Sequence, residues 1–122
     1  MRILIVDDEA PTRRLVELHL LAHPEVTAVV HAASAEEGVA LAESQRFDIV
    51  IMDLILGVQD GRQLLLPLRL AAPDALIVAL TALPAETAEA TARRAGADLF
   101  MHKAAELYPQ LADRLIAALD ER

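Results

Sequence analysis

The sequence predicts an α/β fold, a doubly wound (βα)5 three-layer sandwich with residues 1–122 as one domain, and three observations carry that expectation. Short apolar runs of strand length alternate with longer segments of helical period. The runs are apolar on both alternations, as in strands covered on both faces. A chain of 122 residues accommodates five such units, whereas a closed barrel of eight needs about twice the length.

The first strand is read at residues 2–7, around Ile3, Leu4, Ile5 and Val6, and the first helix at 11–22. A second strand at 26–31 rests on Val26, Val29 and Val30. The helix after it, 34–45, opens with Ser34 and carries Glu37 three residues on, a spacing that lets each satisfy a backbone donor of the other's turn. Ile49, Val50, Ile51 and Met52 mark a third strand at 47–52. The third helix, 61–71, contains a conflict at Pro67, because proline removes a backbone donor and should kink the helix or end it early. The fourth strand is read at 75–80 and its helix at 84–95, with Pro84 suited to the first turn and Gly96 to a left-handed terminal residue. A fifth strand at 98–102 and a helix at 108–120 complete the series. Leu107, Leu111, Leu115 and Leu119 form the core-facing stripe of that last segment.

Composition removes several classes of function. No run reaches the 18 to 20 apolar residues of a membrane span, and the apolar N-terminus meets Asp7 too soon for a signal peptide, so a soluble, cytoplasmic protein without membrane contact is expected. Without cysteine there is no disulfide, thiolate metal site or thiol chemistry. Eleven basic against 19 acidic residues give a formal charge of -8, which repels nucleic acid phosphates and argues against direct DNA binding. Phe47, Phe100 and Tyr108 are the only aromatic side chains of the Phe, Tyr and Trp types, too few for a base-stacking platform.

In open α/β sheets ligands bind beyond the carboxyl ends of the strands. There the first strand ends in Asp7 and Asp8, the third in Asp53, the fourth in Thr81 and the fifth in Lys103. Singly, each has a structural explanation as a cap, a turn residue or a solvated charge. Together they bring carboxylates, a hydroxyl and an ammonium to one edge. Ten of the eleven basic residues are arginine, and the single lysine is Lys103. A compact charge on a flexible stem is what that position selects. Converging carboxylates repel one another, and a hard divalent cation bound through oxygen relieves the repulsion. Mg2+ suits a site without histidine or cysteine, with Mn2+ as an acceptable substitute. Asp53 can then act as a nucleophile towards phosphorus, with Lys103 and the cation neutralising equatorial oxygens and Thr81 donating a hydrogen bond.

From Ile3 to about Leu119 the chain resembles the receiver domains of two-component response regulators. The resemblance rests on Asp7-Asp8 closing an apolar strand, Met52-Asp53-Leu54 followed by Asp60-Gly61, Thr81-Ala82, and Gly96-Ala97 preceding Phe100 and Lys103. It implies a flavodoxin-like fold with a parallel sheet in the order 2-1-3-4-5. It also implies Asp53 as phosphoacceptor, Asp8, Asp53 and the backbone carbonyl of Ile55 as direct metal ligands, and Asp7 acting largely through water. A sensor histidine kinase or histidine phosphotransfer protein would supply the phosphoryl group. Thr81 would then move towards it, the ring of Phe100 would turn inward, and the face built from the fourth helix, fifth strand and fifth helix would change its partners: an output domain, a downstream protein or a second copy of the chain. An end at Arg122 accommodates both a stand-alone receiver and a domain of a longer regulator.

Three departures from the family pattern carry expectations of their own. Gly57 stands where relatives often carry proline, which predicts a looser loop. Ala104 follows the lysine where many relatives have a cis proline, and because a cis bond before alanine costs about 3 kcal/mol, a trans bond or a rearranged loop is expected. Ile55 and Leu83 flank the presumed site with apolar side chains that cannot orient an attacking water, which predicts slow loss of the phosphoryl group.

Other features are read as structural. His19 and His23 have a zinc-chelating spacing but no third ligand in sequence, and His31 and His102 are isolated. Glu86, Glu89, Arg93 and Arg94 form an exposed helix face, placed where receivers commonly dimerise. Two competing functions are a phosphorylation-independent interaction module, which would typically have lost part of the acidic set or the lysine, and a Mg2+-dependent phosphohydrolase. The latter usually has a second acid two residues after its nucleophile, where this chain has Ile55, so the domain is expected not to be an enzyme in the ordinary sense.

Overall fold

The computed structural model describes residues 1–56 and 59–122, with the side chains of 59–62 left aside. Five parallel strands form one sheet: β1 (Arg2–Val6), β2 (Ala28–Ala32), β3 (Ile49–Met52), β4 (Leu76–Thr81) and β5 (Leu99–His102). Their order is β2-β1-β3-β4-β5, as the family resemblance implies. The helices that alternate with them are α1 (Ala10–Leu21), α2 (Ala35–Ser44), α3 (Leu65–Ala71), α4 (Ala85–Arg94) and α5 (Leu111–Asp120). A two-residue antiparallel ladder pairs Ile55–Leu56 with Gln59–Asp60.

The central strands β1, β3 and β4 bury both faces because their side chains alternate between two separate cores. Leu4, Val6, Val50, Met52, Ile77 and Ala79 pack on one side with Leu65 and Leu68 of α3 and Ala88 and Ala92 of α4. On the other side Ile3, Ile5, Ile49, Ile51, Val78 and Leu80 pack with Val16 and Leu20 of α1 and Leu111 and Leu115 of α5. Two helical layers thus sandwich the sheet. Of the expected leucine stripe, Leu107, Leu111 and Leu115 are buried and Leu119 packs partly against the same core.

Several boundaries differ from the sequence expectations, each for a local reason. β2 begins at Ala28 and not at 26, because the Val26 amide donates to His23 O in the turn after α1, although the side chain is buried. The third helix begins as a 3-10 turn over Gly61–Leu64 and becomes α-helical at Leu65. Pro67 therefore falls in the first turn of α3, where its missing donor has no intrahelical partner to lose, and the anticipated conflict disappears. A 3-10 turn over Tyr108–Gln110 likewise precedes α5. Pro84 is the N-cap of α4 and not a residue of its first turn. At α2 the Glu37 amide donates to Ser34 Oγ at 3.1 Å, while the Glu37 carboxylate accepts from the amide of Ala33, one residue earlier than in a reciprocal box.

Gly96 ends α4 with φ +122°, a conformation that residues with a Cβ rarely adopt. Gly38 answers a different demand. A Cβ there would lie 2.8 Å from Cγ2 of Val6, whose branched side chain is fully buried on β1. Gly38→Ala would gain about 1 kcal/mol of helix propensity. Overpacking beside a stiff neighbour costs about 1 to 3 kcal/mol, so a net loss of about 1 kcal/mol is expected in urea unfolding. A more stable variant would contradict the close packing of α2 on β1.

Candidate functional site

Register brings the acidic residues together. β1 and β3 are neighbours with Val6 opposite Met52, so both strands finish level and Asp7 and Asp53 follow side by side. The Asp53 amide donates to Val6 O at 3.0 Å, and the Asp7 amide donates to Ala32 O at 3.1 Å. Both carboxylates are buried, at 4% exposure for Asp7 and 6% for Asp53. Asp7 Oδ1 accepts the Glu9 amide and Asp53 Oδ1 accepts the Ile55 amide, each at 2.9 Å. These local bonds occupy Oδ1 of each carboxylate and leave Oδ2 for Lys103.

Lys103 closes the site from β5, two strands away from β3. Its amide donates to Thr81 O at 2.7 Å, which anchors the stem at the end of β4. Adjacent strands lie about 4.8 Å apart, so only a long side chain can cross β4 to the acids. Nζ lies 2.7 Å from Asp53 Oδ2 and 3.1 Å from Asp7 Oδ2. Thr81, at the end of β4, is fully buried, and its Oγ1 accepts the Leu83 amide at 3.3 Å, an arrangement that keeps the hydroxyl proton available for donation.

The charges are unequally matched. Burial raises the Asp7 carboxyl above its ordinary value of 3.8, and the Glu9 amide and the Lys103 ammonium only partly oppose it. Burial alone would lower Lys103, but its hydrogen bond to Asp53 and attraction to Asp53 and Asp7 outweigh that and raise it above 10.5. One ammonium is thus firmly held, yet it leaves Asp7 undercompensated.

Among the described residues, the set able to hold a metal through three side chains is Asp7, Asp8 and Glu9, whose ligand oxygens lie within 4.8 Å of one another. With Asp53 tied to Asp7 through Lys103, the donors are all hard carboxylate oxygens, which fits Mg2+ or Mn2+. Glu9 was absent from the sequence expectation, although the run Asp7-Asp8-Glu9 displays it. Arg13 was also missed. It donates from Nη1 to the Asp7 carbonyl, a contact from a helix to a strand end that no sequence spacing announces.

The remaining expected residues divide. Ile55 is 45% exposed and its amide bonds Asp53, and Leu83 is half-buried with its amide on Thr81 Oγ1. Phe100 is buried on the same side of the sheet as Ala88, Ala92 and Ala97. The bond before Ala104 is trans. Gly57 and the side chain of Asp60 lie outside the described residues. His19 stacks on Tyr108 and His23 pairs with Asp113 at 3.4 Å, a structural use of both rings. Glu89 and Arg93 form an exposed i,i+4 ion pair at 3.0 Å. No helix among the described residues is long and apolar enough to cross a membrane.

Comparison with known proteins gives this geometry a family. The family model described as the response regulator receiver domain matches residues 3–116. The alginate biosynthesis transcriptional regulatory protein AlgB of Pseudomonas aeruginosa is 38% identical over 96 residues, which cover 79% of this chain and 21% of AlgB. Across the similar curated proteins the chain spans between about a fifth and a half of the relative's length. Among solved structures, a response regulator from Burkholderia pseudomallei with a phosphorylated aspartic acid, calcium ion and citrate superposes with a TM-score of 0.82 at 29% identity, covering 97% of this chain and 65% of that one. The response regulator TrrA of Thermotoga maritima in complex with Mg2+-BeF gives 0.81 at 26% identity, covering 96% and 97%. With the sheet order, the acidic pocket and the family model in agreement, the chain belongs to the receiver domains of two-component response regulators.

Proposed function

We propose that residues 1–122 act as one receiver domain in which Asp53 takes a phosphoryl group from the phosphohistidine of a sensor kinase or phosphotransfer protein. The observation that carries this reading is the contact of Lys103 Nζ with both Asp53 and Asp7 at the carboxyl edge of the sheet. A carboxylate oxygen of Asp53 forms the bond to phosphorus while the P–N bond to the donor imidazole breaks. The electron pair of that bond goes to the ring nitrogen, which needs no prior proton from this chain. Lys103 neutralises a phosphoryl oxygen, and Thr81 donates its hydroxyl proton to another.

Asp8, Asp53 and the Ile55 carbonyl would hold Mg2+ or Mn2+, with Asp7 reached through water; the exposed Glu9 beside them adds charge to the rim. When bound, the cation supplies charge neutralisation and orientation for the incoming phosphoryl oxygens. The output is a population shift. Thr81 and Phe100 face the same side of the sheet, because Ala79 pairs with Phe100 and Thr81 with His102 in a parallel register. A pull on Thr81 thus reaches the layer under α4, and the α4-β5-α5 face is the surface through which an output domain, a downstream protein or a second copy would sense it. On this reading the domain alone is a signal carrier and not an enzyme with a separate substrate.

Incubation with acetyl phosphate and Mg2+ followed by intact mass measurement tests the core of this reading. One added phosphoryl group on the wild type and none on Asp53→Ala is the expected result; an unmodified wild type rejects it. Repeated turnover of a phosphate monoester would instead favour a hydrolase.

The apolar Ile55 and Leu83 offer no group to orient a hydrolytic water, so the phosphorylated protein should be long-lived. Ile55→Asn is expected to shorten its lifetime, as followed by the same mass measurement after removal of the donor. A wild type that loses its phosphoryl group faster than the variant contradicts this.

The raised Asp7 carboxyl gives a linked prediction for the metal-free protein. Because the folded state holds this proton more tightly than the unfolded one, the stability Asp7 contributes falls as pH rises from 3.8 through its raised value. Asp7→Asn should therefore be more stable than the wild type in EDTA. The difference should open across that window and level off above it, and urea unfolding at a series of pH values measures it. An equal or less stable variant at neutral pH would show that the Asp7 charge is already compensated.

A further inference from the structure

Arg13 lies in the first half of α1, and it organises the turn that carries the acids. Its Nη1 donates to the Asp7 carbonyl, and its own amide donates to Glu9 O at 3.1 Å. The guanidinium thus holds the turn Asp7-Asp8-Glu9 at its Asp7 end, while the bond to Glu9 O is the first backbone bond of α1, which any residue but proline would make there. The guanidinium is itself aimed. Nε donates to Nδ1 of His31 on the edge strand β2 at 3.2 Å, and Nε2 of the same ring lies 2.7 Å from Glu17 Oε2. Because Nδ1 accepts, the ring proton sits on Nε2 and points at Glu17, one turn along α1 from Arg13. The chain Glu17, His31, Arg13, Asp7 links α1, β2 and the end of β1 through directional bonds, all of them half-buried.

We infer that Arg13 is a positioning residue for the divalent cation, acting through the Asp7 carbonyl and aimed by His31 and Glu17. This rests on the cation-dependent reading of the site proposed above. The physical reason is entropic as well as electrostatic. The carboxylates of Asp7, Asp8 and Glu9 converge within 4.8 Å, and mutual repulsion drives such a turn to open unless its backbone is fixed. A planar guanidinium with several donors in a fixed fork can bond a carbonyl and an imidazole at once, which a lysine ammonium on its flexible stem does with far less constraint. Partners in this outer layer commonly change metal affinity by about 10- to 100-fold when removed. Removing a positive charge would by itself raise the negative potential at the pocket and strengthen cation binding, so a weakened affinity separates positioning from simple charge.

Mg2+ binding to the wild type, Arg13→Met and His31→Phe is measured by isothermal titration calorimetry at a temperature where each is folded, with thermal melting in EDTA run alongside. Arg13→Met is expected to bind Mg2+ about 10-fold more weakly, and His31→Phe to weaken it by a smaller factor, because Arg13 remains but is no longer aimed. If Arg13→Met melts earlier but binds Mg2+ as tightly as the wild type, or more tightly, Arg13 is a structural staple and the inference is overturned. Should the Met variant fail to fold, Arg13→Lys, which keeps the charge but lacks the two-partner geometry, carries the same comparison. A wild type that itself takes up no Mg2+ overturns the reading of the site along with the inference, which distinguishes that failure from a failure of Arg13 alone.

Discussion

The arrangement of the pocket depends on one lysine crossing one strand. Asp7 and Asp53 become neighbours through the pairing of β1 with β3, a consequence of backbone register alone. Two buried carboxylates side by side would repel, and the nearest compensating charge must come from outside that pair of strands. β4 contributes only a short hydroxyl at this edge, so the charge has to arrive from β5 over the top of β4. The bond from the Lys103 amide to Thr81 O anchors the start of that reach, and the four-carbon stem supplies its length. An arginine would present a wider, rigid group to a gap already bounded by Thr81 and the two acids. The chain's single lysine stands at this position, and its other ten basic residues are arginine.

The fold was legible because its determinants are periodic. A strand covered on both faces must be apolar at successive positions, and Ile3 to Val6, Ile49 to Met52 and Leu76 to Leu80 satisfy this with almost no exposed surface. Boundaries were less legible where burial and backbone pairing part company. Val26 reads as strand because it is apolar and buried, but its amide closes a turn. Pro67 reads as a conflict because periodicity extends the helix back to residue 61, whereas the first turn of that segment is 3-10 and leaves proline near the start of α3.

Site residues followed the same division. The positions of Asp7, Asp53, Thr81 and Lys103 were readable because each ends or directly follows a strand, and topology does the rest. Arg13 and His31 were not, because their contact joins the fourth residue of a helix to a neighbouring strand and depends on how α1 lies across β2. A side chain that acts through a backbone carbonyl leaves no pattern of residue types to detect. The imidazole of His31 looked isolated in sequence for the same reason: its partners, Arg13 and Glu17, are 18 and 14 residues away along the chain.

The proposed signalling role places opposite demands on the two faces of the sheet. On the side of α1 and α5 the core is built from Ile, Val, Leu and Met, large side chains that hold a strand in one packing. On the other side Leu4, Val6, Met52, Leu65, Leu68 and Ile77 are just as bulky, but beside α4 the layer is lined by Ala79, Ala88, Ala92 and Ala97 around the ring of Phe100. Alanines have no side-chain rotamers with which to resist a shift, so the position of that ring and of the helix above it is set by a few contacts and not by interlocked branches. Thr81 ends the strand that underlies this layer, and its hydroxyl points the same way as Phe100. Asp53 follows the strand next to β4, so charge arriving there lies one strand from this compliant, alanine-lined layer. The compliant side is where a small displacement has room to become a change of surface.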